Sequence, residues 1–168
     1  MSGGSHETGT LAAGAEAMLA DIAAWQRMLD RHAELFAELA PGARIGILPR
    51  EATGFAPGRQ PAGWREARFG PSGAPMLAWE AADGGMRAAC ERVGGFADAR
   101  ADFLLLADRQ SIAEAHAALD GDALARLKRR IRRGDVMLCT FRTRAELAAA
   151  GYEDFLDSLG LAFMGACR

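Results

Sequence analysis

The segment Asp102-Phe103-Leu104-Leu105-Leu106-Ala107 restricts the fold of this chain more than any other. Successive residues of a strand point to opposite faces, so five apolar residues in a row need cover on both sides. The segment therefore reads as an inner strand of a sheet with a layer on each face. Asp135 to Phe141 is a second apolar run, and Leu161 to Gly165 is a third, shorter strand candidate.

Helical sequence separates these runs. Ser111-Ile-Ala-Glu114 matches a capping box, in which the hydroxyl accepts from a free helix amide and the carboxylate reaches back. Asp120-Gly-Asp122 interrupts, and a basic helix follows to Arg133-Gly134, where glycine is a natural stop. Thr143-Arg-Ala-Glu146 is a second capping box, opening a helix that Gly151 breaks and Tyr152 to Leu159 resumes. Alternation of strands and helices predicts a parallel βαβαβ unit over 102–166.

Upstream, Leu11, Ala15, Met18, Leu19, Ile22, Trp25, Leu29, His32, Phe36 and Leu39 recur at three-and-four spacing. They predict one amphipathic helix over 10–40, ended by Pro41-Gly42. At 1.5 Å per residue it would reach about 45 Å, longer than a small domain requires. The surplus would serve docking on the body or pairing with a second copy as a homodimer. Residues 1–9 read as a flexible lead. Arg44 to Leu48 is a short strand, and 49–63 is a Pro/Gly-rich loop, either a lid or disordered. Trp64 to Phe69 reads as a strand. Pro75 to Ala82 and Met86 to Val93 flank Asp83-Gly84-Gly85 and predict a β-hairpin.

The expected fold class is α+β (mixed α/β). It has a long N-terminal helix, a hairpin-bearing N-terminal half and a C-terminal βαβαβ unit on one mixed sheet. With 168 residues, half of them apolar, one domain over 10–168 suffices to bury a core.

Cys90, Cys139 and Cys167 are odd in number and widely spaced, which excludes a dense disulfide framework and gives no zinc signature. The polar start lacks the order of a signal peptide, and no run approaches the roughly 18 apolar residues of a membrane span. A reducing cytoplasmic location is expected.

The sequence contains no catalytic or metal motif of known spacing, and no cofactor cradle: G-x-x-x-x-G-K-[ST] and G-x-G-x-x-G are both missing. His6, His32 and His116 are scattered, and Cys139 sits inside a strand. The expectation leans away from an enzyme.

What the sequence does show is charge asymmetry. From Asp122 to Arg144 there are eight cations against two anions, a balance of +6, while the whole chain carries −2 and the remainder therefore −8. Two candidate sites lie in this stretch. Arg126, Lys128, Arg129, Arg130, Arg132 and Arg133 surround the apolar stripe Leu124, Leu127, Ile131, and would dock an acidic protein partner. The plainer reading is a solvated face whose cations suit the helix C-terminus. Arg142, Thr143 and Arg144 stand where a strand ends and a helix starts; with Arg109 at the same edge of a parallel sheet they would hold a small anion. Nucleic acid is disfavoured, since no aromatics interleave with the cations for stacking. The leading expectation is a non-enzymatic accessory or regulatory protein acting by protein–protein contact. A sensor or small enzyme with an anion site is the alternative, and nucleic-acid binding comes last.

Overall fold

The computed structural model describes residues 13–56 and 60–161. The expected α+β class holds: helices pack on a mixed five-stranded sheet of order β3-β2-β1-β4-β5. The strands are β1 (Arg44–Pro49), β2 (Ala74–Ala82), β3 (Gly85–Val93), β4 (Phe103–Ala107) and β5 (Val136–Thr140). β2 and β3 form the expected hairpin, turning at Asp83 and Gly84. All five residues of β4 are buried, between β1, which runs parallel to it, and β5.

Alternation along each strand builds two cores. Ile45, Ile47, Leu77, Trp79, Phe103, Leu105 and Val136 face the helical layer. Leu48, Met76, Ala78, Leu104, Leu106 and Cys139 face a second core closed by irregular chain carrying Phe55, Trp64, Phe69 and Phe96. Gly46 lies on this second face, where a Cβ would stand 2.4 Å from Leu104 Cδ2 and 2.8 Å from Met76 Sδ, so no side chain fits between those strands.

The helical elements are α1 (described over 13–19), α2 (Ile22–Arg31), α3 (Arg50–Thr53), α4 (Arg109–Ala117), α5 (Ala123–Arg133), α6 (Arg144–Ala149) and α7 (Glu153–Ser158). The single helix expected over 10–40 is instead broken at Ala20-Asp21 and ends in a 3-10 turn, Ala33–Phe36. A straight rod of about 45 Å would overshoot this sheet. The bend keeps Leu19, Trp25, Met28 and Leu29 all in the core, and the Trp25 indole N–H donates to the Met18 carbonyl across it at 2.9 Å. Ala15, Leu19, Trp25, Met28, Leu29, Phe36 and Leu39 of the apolar stripe thus lie in the chain's own core, with Met18 and Ile22 partly buried against it.

The expected parallel βαβαβ unit is also corrected. β5 pairs antiparallel to β4, Phe103 opposite Thr140 and Ala107 opposite Val136. One helix between strands returns the chain to the starting edge and gives a parallel pair; two do not. Here α4 and α5 pack on each other as a helical hairpin, so β5 begins where β4 ended. The strand expected at 161–165, like the flexible lead at 1–9, lies outside the described residues except for Leu161. Trp64–Glu66 is a 3-10 turn and not a strand, and the start of the 49–63 loop is the short helix α3. Among the described residues, no helix is long and apolar enough to cross a membrane.

Candidate functional site

The site is the outer face of α5. Leu124 and Leu127 bury its inner stripe, with Ile131 partly buried behind them, and Gly134 ends it with φ +81°. The six cations fall into three groups.

Arg130 is the correction. Expected to face a partner, it is 5 % exposed. Its Nε–H donates to Glu114 Oε2 of α4 at 2.9 Å, an Nη2–H to Glu114 Oε1, and Nη1–H to Asp135 Oδ2 at 2.8 Å. A bidentate pair plus a third hydrogen bond is what a desolvated guanidinium needs. The hydrogen bonds from Arg130 hold both carboxyls below their ordinary range, and the same bonds raise Arg130. Arg130 is therefore a rivet between α4, α5 and the start of β5.

Lys128 and Arg132 lean toward the end of α7: a Cβ on Gly160 would lie 3.3 Å from Lys128 Cε and 3.8 Å from Arg132 Nε. Arg126 is held by Asp122 at 3.2 Å, one turn back. Arg129 stands 3.6 Å from the same carboxylate and Arg133 3.7 Å from Asp135, both beyond hydrogen-bond reach, and both side chains are well exposed. Arg132 is exposed and makes no ion pair among the described residues. Glu114, Arg126, Arg129, Arg130, Arg132 and Arg133 line an open groove of about 420 Å³. Glu114 is already taken by Arg130, so the groove presents unspent guanidinium donors.

The second candidate does not assemble. Because β4 and β5 are antiparallel, Arg109 follows β4 at one edge of the sheet and Arg142 follows β5 at the other, four residue steps or about 13 Å away along the strands. Arg142 Nε–H donates to Asp102 Oδ1 at 3.0 Å. Thr143 and Glu146 form the expected capping box: Thr143 Oγ1 accepts from the Glu146 amide at 3.2 Å, and Glu146 Oε2 accepts from the Thr143 amide at 2.7 Å. Those bonds hold Glu146 below its ordinary range and occupy two of the amides an anion would use, those of Thr143 and Glu146. Arg144 is exposed. The Arg109 amide donates to Glu51 Oε1 at 3.2 Å, and its guanidinium lies beside Gly14. The first capping box is shifted too: Asp108, not Ser111, caps α4, accepting from the Ser111 amide at 2.7 Å.

Sequence reasoning passed over Asp102. Its Oδ2 accepts from the Arg44 amide at 3.0 Å and from the Tyr152 hydroxyl, while Oδ1 takes Arg142. It ties β1, β5 and the start of α7 to the foot of β4. The position just before an all-apolar strand was the available signal. His116 pairs through Nε2 with Asp21 Oδ2 at 2.8 Å, which fastens the α1–α2 bend to α4. No group of three or more metal-ligating side chains converges among the described residues. Cys139 is buried, and burial raises the Cys90 thiol above its usual value.

No protein-family model matches the chain, and no curated protein matches it. A solved structure of sterol carrier protein 2 aligns over 94 % of this chain and 96 % of that one, at 20 % identity and a TM-score of 0.36, a likeness too loose to carry a functional argument.

Proposed function

We propose that this protein is a non-enzymatic, cytoplasmic accessory or regulatory protein that docks an acidic protein partner on the outer face of α5. One observation carries the reading: Arg129, Arg132 and Arg133 stand exposed, without a carboxylate in hydrogen-bond reach among the described residues, around an Arg130 whose own charge is spent internally. Anchored through Arg130 in its last turn, the helix presents these guanidinium groups on a rigid support, so little ordering is lost on binding. Arginine also suits carboxylate recognition through its planar fork of donors. Among the described residues no aromatic side chain lines the groove, so the stacking that single-stranded nucleic acids use finds no support from them.

The test is fluorescence anisotropy with a labelled helical peptide carrying glutamate at i and i+4, against a neutral peptide of the same length. Wild type is expected to bind the acidic peptide, more weakly as salt rises. The triple variant Arg129→Glu/Arg132→Glu/Arg133→Glu is expected to bind at least tenfold more weakly, about 1.4 kcal/mol. Equal affinity of variant and wild type would end the reading. Arg130 is left intact, because its reversal would unseat α4.

A further inference from the structure

Like Arg129, Arg132 and Arg133 of α5, the acidic side chains of α7 are exposed and engaged in no hydrogen bond with an opposite charge among the described residues. Glu153, Asp154 and Asp157 of α7 are exposed and form no ion pair among the described residues. Glu153 and Asp154 occupy the first turn of α7, where carboxylates suit the positive end of the helix. Asp157 lies at the other end, where the helix field opposes it, so the local structure gives no reason for its charge.

α5 and α7 contact each other and belong to the same layer over the sheet. Each has its apolar residues in the shared core, Leu127 on one and Phe155 on the other, so the charged faces of both look outward. The molecule thus carries a basic stripe and an acidic stripe side by side. The spacings match as well: Arg129 and Arg133 are four residues apart, and so are Glu153 and Asp157. Each pair spans one helical turn, about 6 Å along the axis.

Resting on the reading of α5 as an acid-binding face, we propose that the acidic partner is a second copy of this chain, which lays α7 on α5 across a two-fold axis. Rotation by half a turn brings the basic stripe of each copy onto the acidic stripe of the other, so both stripes are used twice and the contact closes. The arginines at i and i+4, Arg129 and Arg133, thereby face the partner's acidic stripe, whose Glu153 and Asp157 have the same spacing. Exposed ion pairs contribute little singly, so the pair is weak and salt-sensitive.

Sedimentation velocity tests this with three proteins: wild type, an α5-reversed form (Arg129→Glu/Arg133→Glu) and an α7-reversed form (Glu153→Arg/Asp157→Arg), each checked for folding by circular dichroism. Wild type is expected to sediment as a dimer at about 0.01 M salt, where the Debye length is about 30 Å, and as a monomer at about 1 M, where it is about 3 Å. Each reversed form alone is expected to be monomeric. An equimolar mixture of the two restores complementarity and is expected to dimerise. Monomeric wild type at low salt, or a dimer that persists in either reversed form, would overturn self-pairing. The acidic peptide, titrated into the same samples, separates the failures. Monomeric wild type that still binds the peptide removes only the second copy as partner. Monomeric wild type that ignores it removes the acid-binding reading too.

Discussion

Arg130 and Glu114 are joined by two parallel hydrogen bonds across the α4–α5 hairpin, with Arg130 almost wholly out of solvent. That pair separates the structural from the presentational part of the basic helix, and it has a consequence in acid. Glu114 and Asp135 are held below their ordinary range by Arg130, so their contribution is complete above the unfolded carboxylate range and is lost as pH falls through the lower folded values. Thermal midpoints are expected to be level from neutrality to about pH 5 and to fall below about pH 4.

The variant Arg130→Ala strands two carboxylates at that hairpin. It is expected to lower the thermal midpoint by on the order of 5 °C at neutral pH and to flatten the acid limb. An unchanged midpoint by calorimetry would show that the hydrogen bonds hold nothing together.

Gly151 has φ +85°, and a Cβ built there would stand 1.8 Å from the Glu38 carbonyl oxygen. The same junction is closed by the Ala40 amide donating to the Ala150 carbonyl at 2.9 Å. Gly151→Ala is therefore expected to cost about 3 kcal/mol or more, from strain and overlap together. Gly134→Ala, with φ +81° but open space around it, is expected to cost about 1 kcal/mol. Urea denaturation of the two variants checks the contrast, and similar losses would contradict it.

The Gln26 side chain takes the place of a neighbouring strand along β3. It donates to the Met86 carbonyl at 2.8 Å and accepts from the Ala88 amide at 2.9 Å, closing a sheet edge that would otherwise be open to pairing. Gln26→Leu is expected to cost about 1–3 kcal/mol, the cost of leaving covered backbone groups unbonded. Hydrogen exchange at the Ala88 amide should accelerate, and an unchanged rate would refute the assignment.

Tyr152 is the only tyrosine in the chain, which makes its titration directly visible. Burial first, and then the hydrogen bond to Asp102, push its hydroxyl well above the usual tyrosine value. A group with a raised folded pKa stabilises the fold fully below its unfolded value and loses that contribution as pH climbs past it. Phenolate absorbance is therefore expected to rise only together with alkaline unfolding followed by circular dichroism. Ionisation near pH 10 in folded protein would contradict the burial of that hydroxyl.

Much of this fold is legible in local sequence, because the relevant forces are local. The five apolar residues of β4 demanded cover on both faces, Asp83-Gly84-Gly85 between Pro75 to Ala82 and Met86 to Val93 marked the hairpin, and Thr143 with Glu146 marked the start of α6. The direction of β5 was not legible, since it depends on whether Asp120-Gly-Asp122 divides one helix or turns a hairpin. That choice moved Arg109 away from Arg142 and dissolved the anion site. The start of α4 was misread for a related reason: Asp108 and Ser111 are both good caps, and burial of Ser111 decided between them.

On α5 the apolar stripe predicted which side faces solvent, and Arg129, Arg132 and Arg133 lie where it put them. Arg130 sits at the margin of that stripe, three residues after Leu127. Its fate was settled by Glu114, sixteen residues away, through packing that no local pattern encodes.

The most direct test of the docking claim is a nuclear magnetic resonance titration that follows arginine side-chain Nε–Hε signals as acidic peptide is added. The account predicts that Arg129, Arg132 and Arg133 shift together and saturably while Arg109, Arg142 and the buried Arg130 stay in place. Uniform small shifts across all arginines, or shifts confined to Arg142 and Arg144, would contradict it.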